Sequence, residues 1–184
     1  SVVVQSQGTY TGSVSVTSGG VVTLNGAAPV GTHTITIRAT DNCGATTDAT
    51  FQITVNKAST TTALASNANP SVWGQNVTFT ATISVVAPGA GTPTGTVTFK
   101  DNAVNIGTCA AQPVAANVAT CSISTLSVGS HPITAVYNGD GSFNGSTSNT
   151  VNQVVNKANT TTTVTANPVS PSIFGQSVTF TATV

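Results

Sequence analysis

The chain has 184 residues, 39% of them hydrophobic, yet it carries only four basic and four acidic side chains and a formal net charge of zero. Without clustered Lys and Arg it lacks the electrostatic footprint of a nucleic-acid binder and the polybasic patch that holds a protein to an anionic membrane surface. Low charge with abundant Gly would suit a disordered chain, but Val and Thr are dense here, so the composition reads as all-β with Thr, Ser and Asn as the polar surface.

Strand signals are period-2 alternation bounded by turn residues. In chain order the first is Thr34-Ile35-Thr36-Ile37-Arg38-Ala39, followed by Phe51-Gln52-Ile53-Thr54-Val55 with Phe51, Ile53 and Val55 inward. The clearest is 77–83, where Val77, Phe79, Ala81 and Ile83 share one face and the threonines the other. Further strands are expected near 96–99, 104–111, 117–124, 132–137 and 151–155, separated by turns such as Pro88–Gly91 and Asn138–Gly141. No stretch sustains a 3.6-residue apolar period, so no helix is expected, and no apolar run approaches the length of a membrane span. No signal peptide opens the chain and it contains no Met, which predicts either a removed leader or a segment of something longer. About seven short strands per hundred residues is the pattern of an immunoglobulin-like sandwich.

The sequence also repeats. Val55-Asn56-Lys57-Ala58-Ser59-Thr60-Thr61-Thr62 returns 100 positions later as Val155-Asn156-Lys157-Ala158-Asn159-Thr160-Thr161-Thr162, and Val72–Ile83 returns as Ile173–Val184 after one inserted residue. Pro29–Thr36 parallels Ser127–Thr134 at an offset of 98. A period this long is a domain, because solenoid and propeller repeats run to about 20–50 residues. The expected architecture is therefore tandem β-sandwich domains. Residues 1–56 supply the later strands of one domain, 57–156 form a complete domain, and 157–184 are the first strands of another. The early strands missing at one end match those left over at the other. Two readings follow: a window on a longer continuous chain, or a subunit whose 157–184 completes 1–56 of its neighbour by strand addition.

Asn69–Gln75, Pro93–Phe99, Leu126–His131 and Tyr137–Asp140 resemble bacterial Ig-like repeats; the resemblance covers 57–156 and the tail. Over 1–56 it is looser, and Ala39–Gly44 is similar to a neighbouring class of bacterial Ig-like or cadherin-like domain. Such repeats stand in series in large secreted and surface-anchored proteins, including adhesins and extracellular filaments. The resemblance implies a non-enzymatic, extracellular or cell-surface role in a bacterium, with no catalytic residue and no cofactor. The partners it implies are copies of the chain or neighbouring Ig-like domains. Alternatives are an adhesin module that binds a surface glycan or receptor, and an accessory linker of a secreted hydrolase.

Individual residues point mostly to structure. Cys109 and Cys121 flank a segment that reads as a symmetric hairpin centred on Ala115, which places them opposite one another and predicts a disulfide. Two cysteines without a second pair do not make a zinc site, and Cys43 is left unpaired or bonded externally. The disulfide would argue for an oxidising compartment. His33 and His131 stand at equivalent places in matching strands, which favours a structural role over catalysis. Asp41, Asp48, Asp101 and Asp140 are dispersed, whereas calcium wants clustered oxygens; Asp140 reads as a turn former. Trp73, at the repeat position of Phe174, reads as a core plug between two strands, with an exposed sugar-binding aromatic as the functional alternative. Alternating threonines invite an ice-binding idea, but a solvent-facing sheet that avoids charge uses the same pattern. Asn76-Val77-Thr78, Asn144-Gly145-Ser146 and Asn159-Thr160-Thr161 match the glycosylation pattern, a chance match in a bacterial protein.

Overall fold

The computed structural model describes residues 1–26 and 29–184, in which every regular element except one short 3-10 turn is a β-strand. The opening segment contains β1 (Val2–Ser6), β2 (Ser13–Val16), β3 (Val22–Asn25), β4 (Gly31–Thr40) and β5 (Thr46–Val55). β4 lies between β1 and β5 in an antiparallel sheet, while β2 and β3 form a separate hairpin. Ile35 is fully buried, but Phe51, Ile53 and Val55 on β5 are only half-buried. Their alternation was legible; the depth of their cover was not.

Residues 57–156 fold into a two-sheet sandwich. Its strands are β6 (Thr60–Ser66), β7 (Ser71–Val72), β8 (Val77–Val85), β9 (Thr96–Asp101), β10 (Val104–Asn105), β11 (Gln112–Pro113), β12 (Val118–Ile123), β13 (Gly129–Tyr137), β14 (Ser146–Thr147) and β15 (Val151–Asn156). One sheet runs β12-β8-β6; the other runs β10-β9-β13-β15-β7, with β11 beside β9 and β14 beside β13. Val77, Phe79, Ala81 and Ile83 of β8 share a core with Val97 and Phe99 of β9 and Ile133, Ala135 and Tyr137 of β13. Taking a side chain such as Phe79 out of water contributes about 2–3 kcal/mol, so this alternating strand is the anchor of the sandwich.

The Cys109–Cys121 disulfide is present, with Cα atoms 5.5 Å apart, but its setting differs from the expected hairpin. Cys109 ends the 3-10 turn Gly107–Cys109, and β11 pairs with β9 rather than with β12. β12 pairs with β8 in the opposite sheet, so the chain crosses between sheets where the sequence suggested a simple return. Only the tight turn bridging Ala115 and Val118 survives of the expected hairpin. Both cysteines are buried, and the bond ties the crossover to the far sheet. Closing a loop of 12 residues contributes about 3 kcal/mol in the chain-entropy model.

At the opposite end, the Asp140 carboxylate organises the turn after β13. Oδ2 accepts hydrogen bonds from Thr94 N (2.8 Å) and Thr94 Oγ1 (2.6 Å), while Oδ1 accepts from Ser142 N (2.8 Å) and Phe143 N (2.9 Å). Burial alone would raise its pKa, but these bonds outweigh burial and hold it at about 2. The turn then grips the entering chain: Lys57 Nζ donates to Asp140 O at 2.6 Å, Ala58 N to Ser142 O and Asn144 N to Ala58 O, each at 2.9 Å. A short linker is thus fixed to the sandwich it enters.

The closing segment forms one hairpin of β16 (Thr163–Asn167) and β17 (Thr179–Thr183). Replacing both Cys109 and Cys121 by Ala should lower the unfolding free energy by about 2–4 kcal/mol in urea titrations, and reductant should shift the unaltered chain in the same direction; an unchanged midpoint in both would remove the disulfide from the stability argument. Asp140→Asn should cost about 1–2 kcal/mol at neutral pH through weakened charge-assisted bonds. Because the folded carboxylate titrates below its ordinary value, that stability is complete above about pH 4 and is lost as pH falls toward 2. The Asn variant should show a flatter acid limb in the same titration.

Candidate functional site

The β16–β17 hairpin copies β6–β8 residue for residue. Leu64 faces Ala81, Ala65 faces Thr80 and Ser66 faces Phe79; correspondingly Val164 faces Ala182, Thr165 faces Thr181 and Ala166 faces Phe180. The turns preceding β8 and β17 match as well. Gln75 Oε1 accepts from Val72 N at 3.0 Å and Gln176 Oε1 from Ile173 N at 3.1 Å, while Gly74 and Gly175 adopt φ of +83° and +81°. Those left-handed angles suit Gly, which has no Cβ to clash. What differs is cover. Phe79 is 0% exposed and Phe180 72%; Ile83 is 1% and Val184 82%; Leu64 is 6% and Val164 65%. The hairpin presents a core-type face to solvent.

The opening segment copies the other half of the sandwich. Gly31 faces Val55 and His33 faces Ile53 across β4–β5, as Gly129 faces Val155 and His131 faces Gln153 across β13–β15. The two histidines hold the same post. His33 Nε2 lies 2.7 Å from Pro29 O, and His131 Nε2 lies 2.9 Å from Ser127 O. On the other ring nitrogen, His33 meets Thr9 Oγ1 at 2.8 Å, whereas His131 meets Asp101 Oδ2 at 2.6 Å. Burial disfavours the charged His131 ring, but the Ser127 carbonyl and Asp101 prevail and its pKa is raised. Both rings tie a strand to the turn before it, and each also meets a hydroxyl: Thr9 Oγ1 on His33, and Ser127 Oγ at 3.4 Å from Nε2 of His131.

In the sandwich, β15 carries a further neighbour that β5 does not. β7 runs parallel to it, with Ser71 against Val155 and Val72 against Asn156, and Trp73 N donates to Asn156 O at 2.8 Å. Beneath this crossing strand lies Gln153, fully buried. Its Oε1 accepts from Ser66 Oγ at 2.7 Å, and its Nε2 donates to Ala68 O at 2.8 Å and to Ser71 Oγ at 3.1 Å. A buried amide with this many partners locks the crossing segment to β15. At the matching place β5 carries Ile53, half-buried beside an apolar groove of about 660 Å³ whose lining includes Tyr10, Val30, Val55, Pro88 and Phe143.

Trp73 departs from its expected role as a core plug. It is 61% exposed, because the turn closed by Gln75 and Gly74 points the ring outward and gives the first buried position to Val77. Phe174 at the matching turn is fully exposed. Cys43 is exposed and unpaired, in a turn where Asp41 Oδ1 accepts from Cys43 N (2.8 Å) and Ala45 N (2.9 Å). Asp48 forms a two-pronged ion pair with Arg38, at 2.7 and 2.8 Å. With Asp101 on His131 and Asp140 in its turn, all four acids are engaged with protein partners. Among the described residues no cluster of three His, Cys, Asp or Glu could hold a metal ion, and no helix is long and apolar enough to cross a membrane.

No curated protein matches the sequence. A family model does: the bacterial Ig-like domain (group 3) spans residues 62–156, which take in the sandwich from within β6 to the end of β15. With its two sheets, its strand order and more than half of its residues inside that match, the chain belongs to the bacterial Ig-like domain family of group 3.

Proposed function

We propose that the chain is a non-enzymatic structural module of an extracellular or cell-surface stalk or filament. In this reading 57–156 is a complete Ig-like domain, 1–56 carries the later strands of another, and 157–184 carries the first strands of a further unit. Bacterial Ig-like domains commonly occur in surface and extracellular proteins and are typically non-catalytic, which supports the placement. The observation that carries the mechanical part is the β16–β17 hairpin. It holds the register of β6–β8 while exposing the side chains that β8 buries. An apolar face of this kind calls for a covering sheet. The opening segment, with the β4–β5 register of β13–β15, has the layout of such a sheet. Completion of one chain by the next is a head-to-tail contact, which yields an open filament where the rotation between copies does not close into a ring.

Exposure of Trp73 favours a second reading, an adhesin module that stacks the indole on a sugar ring. The two readings separate experimentally. The purified chain should sediment as species that grow with concentration beyond 18.1 kDa and appear as rods by electron microscopy; a single 18.1 kDa species at every concentration sinks self-assembly. Under the adhesin reading, glycan-array binding should be present and should disappear in a folded Trp73→Ala variant, while a silent array removes that reading.

A further inference from the structure

We infer that the free edge of β5 is the seat of residues 166–174 from a second copy of this chain, laid parallel to β5 with Ser172 against Val55, Ile173 against Asn56 and Phe174 at the mouth of the apolar groove. The inference rests on the self-assembly reading above and specifies its contact. The template is internal. β15 already accepts the equivalent segment, Ser66–Trp73, through the parallel pairing of Ser71 with Val155 and Val72 with Asn156, and through the bond from Trp73 N to Asn156 O. Val55 and Asn56 are the same residue types in the same register, set by Gly31 opposite Val55 as Gly129 is set opposite Val155. Among the described residues β5 pairs with β4 alone, so backbone donors and acceptors on its other edge are available for strand addition.

A second observation selects the occupant. In the sandwich the crossing segment and β15 meet through a polar pair, Ser66 Oγ with the buried amide of Gln153. Both members change together at the proposed contact. Ser66 corresponds to Ala166 and Gln153 to Ile53, so a hydrogen-bonded pair becomes an apolar one. Setting Ala166 over Gln153 would leave the buried Gln153 Oε1 without its partner, which is the costly arrangement, and Ser66 over Ile53 would exchange its 2.7 Å bond to Gln153 for the 3.3 Å contact with Ala68 O alone. The groove beside Ile53 offers apolar walls from Val30, Pro88 and Phe143, and Phe174 is the fully exposed aromatic that would reach it.

The register is testable by disulfide trapping. In a Cys43→Ser background, Asn56→Cys combined with Ile173→Cys places the two thiols on directly paired residues of neighbouring strands, within bonding reach. Oxidation of the full chain should give a ladder of dimers, trimers and higher species on non-reducing gels. Each single variant should stop at dimers, as should Ile173→Cys paired with Val104→Cys, which lies on the exposed strand β10. A complementary exchange guards against misfolding. Ile53→Gln should weaken association at least tenfold, and adding Ala166→Ser should restore it. Association without the 56–173 ladder and without rescue overturns this docking and leaves self-assembly standing. A chain that stays monomeric overturns both, and a 56–173 bond within one chain overturns the second copy as occupant.

Discussion

A β-hairpin with one apolar face cannot rest until a second sheet covers it. Nearly everything in this chain follows from that requirement. In the sandwich, β8 meets it by placing Phe79 and its neighbours against β9 and β13. The disulfide, the Gln153 lock and the Asp140 turn then hold the covering sheet in place. The closing hairpin has the same pattern, the same register and the same turn, yet its face is open. Local sequence therefore suffices to form the hairpin, while burial depends on a partner surface that the hairpin does not contain.

The division between what could be read in the sequence and what could not follows the same line. β8 was legible because Val77, Phe79, Ala81 and Ile83 alternate with threonines and face a dry core. β6 was not, because its inward residues include Thr60 and Thr62, whose hydroxyls are satisfied by Asn144 O and Ser146 Oγ across the sandwich. A buried Thr looks like a surface Thr until its distant partner is known. The cysteine pair was legible from spacing, but the crossover between sheets was not, since β11 finds its partner in β9 rather than along the chain. Trp73 misled for a local reason: a large aromatic suggests a core, but the backbone of its turn decides where the ring points. The repeat was the most informative signal, because equal spacing of equal residues fixed the hairpin registers at both ends.

The scarcity of charge is matched by economy in its use. The four acids and both histidines are spent on turns, one cross-strand pair and strand anchors. Matching histidines in β4 and β13 bond back to the carbonyl four residues earlier, and only one has acquired a carboxylate neighbour. The two positions share a geometric function and differ in their electrostatics. Such a surface has few charges with which to choose partners.

The grip of the 140–144 turn on Lys57 and Ala58, and the parallel contact of β7 with β15, have a mechanical consequence. Tension applied along the chain would enter the sandwich near Ala58, bridged in parallel to Phe143, and leave at Asn156, bridged in parallel to Val72. In both places the pulled strand would slide along its neighbour instead of peeling from it. Hydrogen bonds that cross between the strands would then share the load together rather than failing one at a time. The geometry is that of a lap joint at each end of the domain.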